Sequence, residues 1–193
     1  MPAVKRCSIT IAVMVLSITT IVTAQVYSSS SFQVMAIAKA KSCAREISSV
    51  IERAEVNGEL GLGAVFDRMY IPVPESSPKR YRTSYDAWAD RAISPILKKT
   101  LGDDEFLVYI ILMDPNGYIP VAPELRQIKL IPTPPAPKGI LDSSLDLEAA
   151  RHTGPELIRS IDKAAESELM EVAVPVIIRN RPWGVIRIGY ADR

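Results

Sequence analysis

The spacing of apolar and polar residues changes several times along this chain, and each change marks an element. From Cys7 to Phe32 no charged residue interrupts the sequence, and Ile9–Val26 is its strongly apolar part. About 20 apolar residues at 1.5 Å rise each span a bilayer core, so this run predicts a membrane helix. Lys5 and Arg6 precede it, which by the positive-inside rule keeps the N-terminus in the cytoplasm and places the rest outside. A cleaved signal peptide is the other reading, because Val22-Thr23-Ala24 before Gln25 fits a small-residue cleavage site. Both readings export everything that follows residue 31.

A helical pattern then runs over 32–57 and ends at Asn57-Gly58. Ile37, Ala40, Ala44, Ile47, Ile51 and Ala54 recur at spacings of three and four, an a/d seam flanked by charged residues. Such a seam packs on its own domain or pairs with a second copy, and in the second case Cys43 would border the pairing. Residues 58–82 carry Pro72, Pro74 and Pro78 and predict a loop. A second helix is expected over 84–101, kinked at Pro95, with Thr83 and Asp86 forming a capping box. Its apolar face holds Tyr85, Trp88, Ala89, Ile93 and Leu97, and Gly102 ends it.

From Phe106 to Met113 the apolar residues are continuous, predicting a strand buried on both faces. Asp114-Pro115-Asn116-Gly117 is a turn, after which Tyr118–Val121 predicts its hairpin partner. Prolines 123, 132, 134, 135 and 137 make 122–139 a long irregular loop. The stretch 157–162 fits a helix start or a strand. Leu169–Ile178 and Trp183–Tyr190 are strands joined by Arg179-Asn180-Arg181-Pro182, and in the second Val185, Arg187 and Gly189 alternate with Ile186, Ile188 and Tyr190. With no internal repeat and no linker, residues 32–193 form one domain behind the 1–31 segment.

Composition narrows the function classes. Charged residues make up 23% and hydrophobic residues 48%, with a net charge of +1, so the body is globular and shows no footprint for nucleic acid. Cys7 falls in the apolar run and Cys43 outside it, which argues against an intrachain disulfide. A single histidine, His152, removes most triad and histidine-metal chemistry. No serine or acid pair stands in a recognised catalytic motif, and Asp103-Asp104-Glu105 predicts a solvated loop rather than a metal site. An enzyme is not expected.

Three motifs occur in order. Phe66-Asp67, Tyr70-Ile71-Pro72-Val73-Pro74, Tyr81-Arg82-Thr83 and Asp90-Arg91 make the first; Asp114–Val121 the second; and a Pro175-Val176 pair, a basic turn with Trp183-Gly184 and Arg187-Ile188-Gly189-Tyr190 the third. Together, over 65–190, they resemble the Cache-type, PAS-like extracytoplasmic sensor domain of bacterial methyl-accepting chemotaxis receptors. The resemblance implies an α+β fold: an N-terminal membrane helix continuing into a long helix, then a five-stranded antiparallel sheet flanked by helices and closing a ligand pocket. It also favours a strand over 157–162. The implied function is small-molecule sensing from the periplasmic side of the inner membrane, as a homodimer or beside a full-length receptor.

Two departures from that pattern stand out. The Cys-x-x-Cys-His motif by which some members attach haem is absent, so no cofactor is expected. Only three residues follow the last hairpin, so the output segments of such receptors are not expected within this chain. The alternative is a tethered protein that docks on a receptor or envelope partner without a ligand. If the PAS-like arrangement holds, Tyr85, Trp88, Arg91, Tyr109, Tyr118 and His152 are the ligand-binding candidates, around a small polar ligand.

Overall fold

The computed structural model describes residues 7–131, 134–164 and 167–192, with side chains over 31–131, 134–161 and 168–191. The chain is α+β, with a five-stranded antiparallel sheet and flanking helices. Helix α1 (Cys7–Val56) is followed by a short α2 (Leu62–Val65) and a two-stranded ribbon, β1 (Ile71–Pro72) with β2 (Tyr81–Arg82). Helices α3 (Asp86–Ala92) and α4 (Ser94–Leu101) lead into β3 (Leu107–Met113). Then come β4 (Glu124–Leu125), α5 (Ser144–Ala150), β5 (Leu157–Ala164), β6 (Ser167–Ile178) and β7 (Arg181–Asp192). The main sheet runs β4-β3-β7-β6-β5. The side chains of the expected membrane run fall outside those described; among the described residues no helix is long and apolar enough to cross a membrane.

Two layers of core enclose the sheet. On one face Ile110, Leu112, Val172, Val174, Ile186 and Ile188 pack against the buried stripe of α1, with α3 and α4 alongside. On the other face Val108, Tyr109, Ile111, Met113 and Val185 are covered by the 119–143 segment and α5. The α1 seam is therefore largely spent within the chain: Ala40, Ala44, Ile47, Ile51 and Ala54 are buried against this domain, Ile37 is partly buried against it, and Ala36 beside it is buried. A second copy would have to use another face of the helix. Cys43 is 1% exposed, and burial pushes its thiol up to about 11, so it does not border an open seam.

Several local expectations change. The 58–82 loop contains the α2 turn and the small ribbon. The 84–101 helix is two helices, broken at Ile93 rather than kinked at Pro95, since a proline at 95 cannot donate to the Arg91 carbonyl and instead opens α4. Half of the capping box forms: Asp86 accepts from the Thr83 amide at 3.1 Å, but the Thr83 hydroxyl donates to that same carboxylate at 2.7 Å. Tyr118–Val121 is not the partner of β3, whose edge pairs with β4 and β7. The Asp114 carboxylate takes the amides of Asn116 and Tyr118, and Gly117 and Ile119 pair instead with Lys138–Leu141. That pairing pins both ends of the proline-rich loop over the sheet. At Gly117, φ is +82° and an added Cβ would lie 1.9 Å from the Leu141 carbonyl oxygen, so only glycine fits.

The stretch 157–162 lies within β5. The final hairpin turns on Arg179 and Asn180 alone, with φ of 50° and 59°, the two positive values a tight turn requires. Arg181 and Pro182 already belong to β7. The turn is held by α1: Glu52 accepts the Arg179 amide at 3.0 Å and Glu55 accepts its guanidinium.

In a Cys7→Ser background, Cys43 should resist thiol reagents at neutral pH while the domain is folded and react fully in denaturant. Rapid labelling of the native protein, or Cys43-dependent dimers under mild oxidation, would contradict the burial of the seam.

Candidate functional site

Strand register sets the site. Tyr109 on β3 stands opposite Gly189 on β7, Gly189 opposite Glu171 on β6, and Glu171 opposite Arg159 on β5. These four positions form one row across the sheet, on the face turned away from α1. Arg187 lies on the same face, two residues before Gly189 and paired with Ala173. Gly189 is what lets the row close. The Tyr109 ring lies over it so tightly that an added Cβ would sit 2.2 Å from the ring, and across that gap the phenol reaches Glu171.

Glu171 is fully buried, and its carboxylate is saturated with donors. Oε2 accepts from the Tyr109 hydroxyl at 2.5 Å and from Arg187 Nε at 2.7 Å. Oε1 accepts from Arg159 Nε at 2.9 Å, with Arg159 Nη2 at 2.7 Å. A lone carboxylate there would cost several kcal/mol of lost hydration, so two guanidiniums and a phenol are what make the position tenable. Burial, then the Glu171 charge, push the Tyr109 phenol well above its ordinary value, so it remains a donor. Burial alone would lower Arg187, but the Glu171 charge, the Tyr109 phenol and the hydrogen bonds to Glu171 and Asp146 together outweigh it and hold the guanidinium above its usual range.

Arg187 Nη1 also donates to Asp146 Oδ1 at 2.7 Å, from the first turn of α5. Asp146 is fixed by the helix cap: its amide donates to Ser143 Oγ at 3.1 Å, and Ser143 Oγ donates back to its Oδ2 at 2.6 Å. Arg159 Nη1 donates to the Leu145 carbonyl oxygen, a second tie to the same helix.

Above this row lies a cavity of about 460 Å³. Its floor is Tyr109, Arg159 and Arg187; its walls include Ile111, Ile131, Ile140 and Ile161; and Asp142–Asp146 close one side. An apolar chamber of this size with a few converging polar groups has the form of a small-molecule site. No known protein family matches this chain, and neither does any curated protein. Among the described residues no cluster of His, Cys, Asp and Glu could hold a metal ion.

Of the residues chosen from sequence, Tyr109 alone lines this cavity. Tyr85 and Trp88 are buried in the core between the sheet and α1, where the Tyr85 ring meets Trp183 edge-on at 5.9 Å between centroids. The sheet thus separates them from Tyr109. Arg91 is exposed on α3. Tyr118 is buried and donates to Asp86 at 2.7 Å, and His152 follows the end of α5 beside Gly154. The expected convergence of the Tyr85–Arg91 face, Tyr109 and His152 does not occur.

Tyr118 belongs to a second polar cluster that is structural. Asp114 there is fully buried, accepting from the Tyr70 hydroxyl at 2.6 Å and facing Arg68 Nε at 3.3 Å. Despite those donors, burial holds its carboxyl above the usual range. Glu171, Arg159, Arg187 and Asp146 were not singled out as site residues. The signal was present: Glu171 and Arg187 are isolated charges within otherwise apolar strands, and such residues need partners on the same face.

Gly189→Ala should displace the Tyr109 ring from Glu171. The expected loss is about 1–3 kcal/mol of stability, read from urea unfolding. An unchanged midpoint would mean the ring contact is not a constraint.

Proposed function

We propose that this chain is an exported small-molecule sensing domain of the chemoreceptor type, binding its ligand in the cavity over Tyr109, Arg159 and Arg187. One observation carries the reading. The strands that form the cavity floor also form the bed of α1. On β6, Glu171 lies on the cavity side of the sheet, beneath its partners, while Val172 and Val174 face the helix side; on β7, Arg187 faces the cavity while Ile186 and Ile188 face the helix side. A ligand that shifts these strands acts directly on α1, the helix that leads back toward the N-terminus.

The order of motifs over 65–190 supports the same reading through the resemblance to Cache-type sensors. In this proposal Ile9–Val26 anchors the protein in the inner membrane, with the domain on the periplasmic side. The sensed compound is small and has polar groups, because the cavity pairs apolar walls with a charged floor.

A thermal-shift screen with anionic, cationic and neutral metabolites tests the binding claim. A ligand at a hundred times its Kd should raise the melting temperature by about 5–10 °C, and Arg187→Met should abolish the shift. A screen in which nothing stabilises the folded domain would favour a docking protein without a ligand. Topology is tested separately: a reporter active only after export, fused after Arg193, should be active. Activity of a cytoplasmic reporter in its place would overturn the export claim.

A further inference from the structure

Hydrogen-bonding capacity in the cavity floor is lopsided, and the imbalance specifies the ligand. Both Glu171 oxygens are taken by Tyr109, Arg159 and Arg187, and both Asp146 oxygens by Arg187 and Ser143. The carboxylates therefore have little left to offer a cationic ligand. Arg187, in contrast, uses Nε on Glu171 and Nη1 on Asp146, with Met113 Sδ at 3.6 Å, and its Nη2 has no hydrogen-bonding partner among the described residues. The vacant capacity is a donor's, so the ligand must bring acceptors.

Charge sets a further condition. Arg159 and Arg187 balance Glu171 and Asp146, so the floor is neutral as it stands. Glu148 approaches Arg159 only to 3.8 Å with its side chain 61% exposed, and Asp142 at the side of the cavity is exposed too, so water screens both and they add little fixed charge. An anion added to this neutral floor would be buried without a counter-charge, which is costly. An anion exchanged for one already there keeps the balance. Glu171 cannot be that one, being fully buried at the centre of the row. Asp146 can: its side chain is 21% exposed and it stands on a seven-residue helix at the side of the cavity.

Resting on the sensing function proposed above, we propose that the cavity takes a small monocarboxylate with a short apolar body, and that Asp146 is an internal placeholder for its carboxylate on Arg187. The incoming carboxylate accepts from Arg187 Nη1 and Nη2 in the two-bond geometry that guanidinium favours. Its apolar part lies against Ile111, Ile131, Ile140 and Ile161. Asp146 retains Ser143 and turns outward to water.

Calorimetry on the full chain tests this with butyrate as probe, and with butyramide and butylammonium as controls of the same size. Butyrate should bind and the two controls should not. Asp146→Asn removes the competing charge from a partly exposed position, so it should tighten butyrate about tenfold or more while the fold is retained. Arg187→Lys should weaken it by a similar factor, since a lysine cannot present the two-bond fork. Unchanged or weaker butyrate binding in a folded Asp146→Asn variant would overturn the placeholder role. Binding of butyramide or butylammonium in preference to butyrate would overturn the ligand class and leave the sensing function standing. If the whole thermal-shift panel and butyrate all fail to bind, the sensing function itself falls.

Discussion

A fully buried carboxylate, Glu171, sets the terms for one whole face of this protein. Its charge is tolerable only because Arg159, Arg187 and Tyr109 converge on it, each from a different strand. Those three partners must lie in register across β3, β5, β6 and β7, so the electrostatics and the sheet pairing specify each other. Gly189 belongs to the same constraint, since any side chain there would lift Tyr109 away. The two guanidiniums then reach beyond Glu171, to Asp146 and to the Leu145 carbonyl oxygen, and so fix α5 over the sheet. The chamber exists because α5 and the proline-rich segment are held above the floor by polar ties and backbone pairing rather than collapsed onto it.

The opposite face follows a different logic. There the buried contact is apolar, small alanines on α1 letting it lie close on β6 and β7, with polar ties at its margins. Burial of aliphatic side chains supplies the adhesion, at roughly 25 cal/mol per Å² removed from water. At the hairpin turn, the Arg179 amide donating to Glu52 and its guanidinium paired with Glu55 fix position more than they add stability, since the arginine is half exposed. β6 and β7 thus each set a charged side chain, Glu171 or Arg187, on the cavity side and aliphatic ones on the helix side, so α1 and the cavity address the same backbone from opposite sides.

Most residues of the three motifs serve the scaffold, while Arg187 of the third reaches the cavity floor. Tyr70, Asp114 and Tyr118, with Thr83 and Asp86, knit the ribbon, the turn after β3 and the start of α3 into one polar cluster. Trp183 joins it from β7: its indole donates to the Val65 carbonyl oxygen, and its own carbonyl oxygen accepts from Arg68. Sequence signatures are strongest where backbone geometry is tightest, as at Gly117. Such places frame a site without lining it.

Elements with a strong local signal can be read directly from the chain. The long helix over 32–57, the buried strand at 106–113, the two last strands and the irregular proline segment are all legible from period, length and turn chemistry. The sheet's five strands were implied only through the resemblance, and Tyr118–Val121 was misassigned because nothing local shows that Asp114 will take the amides that a hairpin needs. Of the chosen site residues only Tyr109 reached the cavity, because aromatic residues on an apolar helix face are drawn to the core, as Tyr85 and Trp88 were. Which face of the sheet holds the chamber, and that Glu171, Arg159 and Arg187 meet there, was decided by tertiary structure. Their separations along the chain are 12 and 16 residues, and only strand register converts such distances into contact.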